Sequence, residues 1–134
     1  MKFSTVKIIS LFAILFVFGC SSSADKQRLV EAIAQHKATT LSNSLPIEHG
    51  PLTIMQAKAR GNAVELMMLY NGDDAIPAQT LMTNSVNYYC TNSDVRANLE
   101  HGIIYDIKMR SPRGQLLLEQ LISLDTCQSV EVQK

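Results

Sequence analysis

Tryptophan is absent, and glycine, proline and cysteine are scarce, at 6, 4 and 3 residues in 134. Without tryptophan the chain lacks the usual stacking platform for sugars. Charge of one sign is missing too: the formal net charge is 0, and nucleic-acid binding calls for a basic face. No CxxC, HxxxH or GxSxG motif occurs, nor any phosphate loop or glycine fingerprint. Ser42, Ser44, Ser85 and Ser111 therefore stand in no nucleophile context, and His36, His49 and His101 are scattered. The acidic residues are dispersed, and Asp73-Asp74 is too short for a calcium loop, which needs a longer run of oxygen ligands. These absences point away from an enzyme and away from any metal or diffusible cofactor.

What is present begins at the N-terminus. Lys2 and Lys7 precede an apolar run, Ile8–Phe18, of eleven residues interrupted only by Ser10. A signal-peptide core runs about 7–15 residues, whereas a membrane-spanning helix needs about 20. Val17-Phe18-Gly19-Cys20 follows, then Ser21-Ser22-Ser23. This resembles the lipobox of bacterial lipoproteins, although Phe18 is bulkier than the residue usual there. The resemblance implies cleavage before Cys20 and acylation of that cysteine. It also implies the outer membrane, because an aspartate after the cysteine favours inner-membrane retention and here Ser21 stands in that place. One acyl chain holds only marginally at about 0.8 kcal/mol per buried methylene; three would make the anchor effectively permanent.

The expected organisation is a signal peptide at 1–19, a lipidated tether at 20–25 and a domain at 26–134. Removing 19 of 134 residues leaves 115, one domain by length. Lys2 and Lys7 leave with the signal, so the 12 basic residues become 10 against 12 acidic ones, a charge of −2. With Cys20 given to lipid, Cys90 and Cys127 remain, and an even pair in an oxidising compartment favours a disulfide over zinc. The 38-residue loop it would close is worth up to about 4 kcal/mol in the chain-entropy model.

Periodicity predicts a helix from Asp25 to about Ser44, with Leu29, Ile33, Thr40, Leu41 and Leu45 near helical spacing and Pro46 as the stop. Leu52–Ala59 and Ala63–Tyr70 flank Arg60-Gly61-Asn62 as a hairpin. Pro77 suits a helix start, and Met82, Val86 and Tyr89 form one stripe ending at Cys90. Ser93 or Asp94 can cap a second short helix, with Gly102 just past its end. Ile103–Arg110 and Gln115–Asp125 form a second hairpin around Ser111–Gly114. The expected class is α+β: about four antiparallel strands packed with an N-terminal helix, one or two further helices and one disulfide.

The strands carry apolar residues on both faces. Val64, Leu66, Met68 and Tyr70 lie opposite Met67 and Leu69, and Leu116, Leu118, Ile122 and Leu124 lie opposite Leu117 and Leu121. An antiparallel sheet with one wet face should alternate cleanly. Either helices cover both faces, or Met67, Leu69, Leu117 and Leu121 belong to a partner-docking surface.

Leu45-Pro46-Ile47, Cys90, then Leu99-x-x-Gly102-Ile103-x-Tyr105-x-Ile107, a Gly114 turn and a strand closing at Cys127 make a recognisable order. Over Gln35 to Cys127 it resembles the secretin pilotins of the type II secretion system, of the AspS/GspS-beta family. The resemblance implies a non-enzymatic lipoprotein that binds the C-terminal segment of the secretin subunit. The lipoprotein sorting machinery would then carry both to the outer membrane. It also places the family's disulfide on Cys90 and Cys127. Rival readings are an envelope lipoprotein binding peptidoglycan, an assembly factor or a small ligand, or a hydrolase inhibitor presenting the loop Asn71–Ile76.

Overall fold

The computed structural model describes residues 21–72 and 75–132. The signal peptide and Cys20 therefore lie outside the described residues, as do Asp73 and Asp74. Helix α1 spans Ser21–Ser42 among the described residues, so residues 21–25, expected as part of the tether, are helical. Residues 22–29 are exposed and Val30 is the first buried one. Val30, Ala34 and Ala38 then face the sheet at four-residue spacing. The small alanines let α1 approach so closely that Ser42 Oγ donates to the Ala57 carbonyl at 2.8 Å.

The sheet has five strands in the order β1 (Ile47–His49), β2 (Leu52–Arg60), β3 (Ala63–Tyr70), β4 (Ile104–Arg110) and β5 (Leu116–Ile122). The hairpins at β2/β3 and β4/β5 are antiparallel as expected. Two features differ from the sequence reading. Ile47–His49 adds a short edge strand against Leu52–Ile54, and β3 pairs with β4 in parallel. The second follows from the chain between them. A parallel neighbour needs a crossover, and α2 (Ala78–Thr91) with α3 (Ser93–Glu100) supplies it. The cap of α3 is Asn92, whose Oδ1 accepts from the backbone N–H groups of Asp94 and Val95 at 3.1 Å each.

The last strand ends at Ile122, and Leu124–Val132 is a fourth helix, α4. Ser123 and Thr126 start it reciprocally: Ser123 N–H donates to Thr126 Oγ1 at 3.2 Å and Thr126 N–H to Ser123 Oγ at 3.4 Å. That is the arrangement of a capping box with threonine in the acidic position. Cys127 sits in its first turn and is bonded to Cys90 at the end of α2, S–S 1.99 Å. The two sulfurs are thus engaged with each other and not with zinc.

All the fully buried strand residues fall on one face. Val64, Leu66 and Met68 of β3, Tyr105, Ile107 and Met109 of β4, and Ile122 of β5 meet the helices there. On the opposite face every described strand residue is half-buried or exposed. Of the two sequence alternatives, helices on both faces is the one the structure rejects.

Candidate functional site

Two surfaces come out of this arrangement. The first is the uncovered sheet face. Register places Met67 opposite Gln56 on one side and Lys108 on the other, with Leu69 beside Arg110 and Leu121 beside Asp106. Leu117 stands at a bulge, since Met109 pairs with Leu118 while Arg110 pairs with Leu116. Three of the four candidate residues therefore share one face, and Leu117 lies at its edge. Leu117 and Leu121 are 41% and 55% exposed; Met67 and Leu69 are half-buried.

The middle of that face is ionic. Lys108 Nζ lies 3.0 Å from Glu65, 3.4 Å from Asp106 and 3.7 Å from Glu119. Its bond to Glu65 holds that carboxyl below the ordinary carboxylate range, and the Glu65 bond in turn raises the lysine. A carboxylate with a depressed native pKa stabilises the fold above its unfolded pKa of about 4.3, and a raised lysine below about 10.4. Lys108→Met should accordingly lower the thermal midpoint between about pH 5 and 10. The gap to wild type should close as pH falls through the Glu65 range. Paired melting curves at pH 7 and pH 3 check this; a gap unchanged at pH 3 would assign the loss to packing.

The second surface is a groove on the helical side, with a volume of about 440 Å³. Leu41 of α1 and Ile47 and His49 of β1 form one bank; Leu81, Ser85, Tyr88 and Tyr89 of α2 with Val95 of α3 form the other. Leu52, Ile54, Leu66, Met68 and Tyr105 make the floor. The groove lies between α1, which packs over β2 and β3, and α2, which packs against β5 and α4. Tyr88 stands at its lip, 60% exposed. Tyr89 lies edge-on to Tyr105, ring centroids 5.0 Å apart at 68°.

Sequence reasoning found Tyr89 but missed the groove. The signal was a second stripe, Leu81, Ser85 and Tyr88 at i, i+4 and i+7, running beside Met82, Val86 and Tyr89. The histidines do not converge: His36 is on α1, His49 at the groove and His101 at the end of α3. The loop nominated as an inhibitor's finger is tied down at one end, where the Tyr70 hydroxyl donates to the Ile76 carbonyl at 2.6 Å.

The sequence profile of the family described as type II secretion system (T2SS) pilotin, S protein, matches residues 26–127. The chain belongs to that pilotin family. The solved pilotin EpsS from the Vibrio vulnificus type 2 secretion system is 40% identical, covering 78% of this chain and 96% of its own, with a TM-score of 0.74. The type II secretion pilotin AspS of Vibrio cholerae is 43% identical, covering 80% of this chain and all of its own (100%), also at 0.74. A Pseudomonas aeruginosa protein of solved structure shares the fold at 15% identity, TM-score 0.66, over 81% of this chain and 99% of its own. No curated protein matches. The pilotin match embraces the two disulfide cysteines, the crossover helices and all five described strands. Among the described residues of this pilotin, no helix is long and apolar enough to cross a membrane.

Proposed function

We propose that this pilotin is an outer-membrane lipoprotein, anchored through acyl chains on Cys20. In this reading it is non-enzymatic: it binds the C-terminal segment of the secretin subunit and brings it to the outer membrane for assembly. The observation that carries the reading is the pilotin family match over residues 26–127. The groove between α1 and α2 is the better docking site for such a segment. It is concave, largely apolar and flanked by helices, which suits an amphipathic helix laid along it and ordered on binding. Cys20 would set the address through the lipoprotein sorting machinery, and the groove would hold the cargo.

A second reading keeps the family role and moves the contact to the uncovered face around Met67, Leu69, Leu117 and Leu121. The exposed leucines of β5, Leu116 among them, favour it, since exposed apolar patches mark interaction sites. The ionic centre around Lys108 counts against it, because a docked helix would have to desolvate those charges.

Deletion of the gene followed by envelope fractionation tests the role. The expected result is loss of secretin multimers from the outer membrane, restored by wild-type protein and not by Cys20→Ala. Unchanged secretin assembly and location would reject it.

A further inference from the structure

Three tyrosines meet at the groove, and their hydroxyls differ in what they bond. The Tyr105 hydroxyl accepts from Asn98 Nδ2 at 2.9 Å, and the Tyr88 hydroxyl from Asn92 Nδ2 at 3.4 Å. The Tyr89 hydroxyl has no hydrogen-bond partner among the described residues. Its ring is braced on two sides, 5.0 Å from Tyr105 and 5.9 Å from Tyr88 by centroids, both edge-on. The two ring contacts hold the side chain in place, and its hydroxyl is not among the fully buried unpaired atoms. Burial pushes its pKa up, so the group remains a neutral hydroxyl across physiological pH.

A tyrosine hydroxyl in such a place normally finds a partner. In the open groove water can serve. Once an occupant excludes that water, the occupant must supply the bond or leave the hydroxyl desolvated and unpaired. We propose that Tyr89 is a specificity-determining residue of the groove, its hydroxyl bonding one polar atom carried within the docked segment's apolar stripe. The proposal rests on the pilotin reading above and narrows its partner. The segment is an amphipathic helix whose buried face is not wholly apolar but carries a single hydrogen-bonding side chain over Tyr89. A site built this way rejects near relatives that lack the polar group more sharply than apolar contacts alone could.

The test is calorimetric titration of the full lipidated chain in detergent, wild type and Tyr89→Phe, with a synthetic peptide of the secretin's C-terminal segment. The titrations are then repeated with peptides in which each polar residue is replaced by alanine. Tyr89→Phe should bind about three- to tenfold more weakly, with a thermal midpoint equal to or above wild type, because the hydroxyl lost was serving no protein group. One peptide substitution should weaken wild type by a similar factor and leave Tyr89→Phe unaffected, the signature of a coupled pair. Equal affinity of the two chains for every peptide would overturn the assignment. So would a midpoint that falls in step with affinity, which would make the hydroxyl structural. If the wild type bound no peptide, the pilotin reading would fail first and the assignment with it.

Discussion

Tyr88→Ala should weaken binding of the secretin's C-terminal segment by about thirtyfold or more, the loss typical of an aromatic anchor, and leave the thermal midpoint where it is. The two halves of that expectation come from the same geometry. Tyr88 lines the groove while remaining 60% exposed, so the fold gains little from its ring. Its one hydroxyl bond, to Asn92, is long at 3.4 Å. A tyrosine presented this way has its apolar area available to a partner at small entropic cost, since only two torsions must be fixed. The informative contrast is Leu117→Glu with Leu121→Glu on the uncovered sheet face. That double variant should stay folded, because both side chains are exposed on the uncovered face and neither belongs to the buried core, and it should bind as wild type does. The reverse pattern would transfer the docking site to the sheet: intact binding in Tyr88→Ala and lost binding in the leucine pair.

The uncovered face shows why sequence alone left two alternatives open. Because alternation fails at β3, Met67 and Leu69 could be read either as covered by helices or as part of a docking surface, and in the fold they are half-buried. The cover they have comes from neighbours in register. Met67 lies between Gln56 and Lys108, and Leu69 beside Arg110. Long charged side chains lay their methylenes over adjacent apolar groups while keeping the charge in water. A strand can thus look buried on both faces with helices on only one. The hairpin at Arg60-Gly61-Asn62, the alternation of Ile103–Arg110 and the helix ending before Pro46 were legible because each is a local property. The parallel pairing of β3 with β4 was not, because pairing order depends on where the crossover helices return the chain. Helix α4 was hidden for a different reason: Ser123 and Thr126 cap it without the usual Glu or Gln, and its start follows directly on a leucine-rich strand. The groove is a gap between elements, and a gap has no residues of its own to announce it.

Removing the disulfide should have the largest effect on stability. Cys90→Ser with Cys127→Ser is expected to cost about 3–4 kcal/mol by the chain-entropy account. That corresponds to a fall in thermal midpoint of about 10–20 °C, and reduction of the wild type by dithiothreitol should reproduce it. The loop closed is long, with a sequence separation of 37, and it spans α3, β4 and β5, so the bond restrains about a third of the described chain when unfolded. In the folded protein its position matters as much as its length. Cys90 lies in the last turn of α2, the helix that supplies Leu81, Tyr88 and Tyr89 to the groove, and Cys127 is a fully buried residue of α4. Apart from Cys90, only Met82 of α2 is buried, and Leu81, Val86 and Tyr89 pack partly on the core, so the bond is the covalent tie of the groove wall at its C-terminal end. Peptide affinity in the serine pair should therefore drop at temperatures well below its midpoint, where the domain as a whole is still folded. Equal affinity up to the onset of melting would show that sheet packing alone fixes α2. A progressive loss before melting would show that the oxidising compartment completes the binding site as well as the fold.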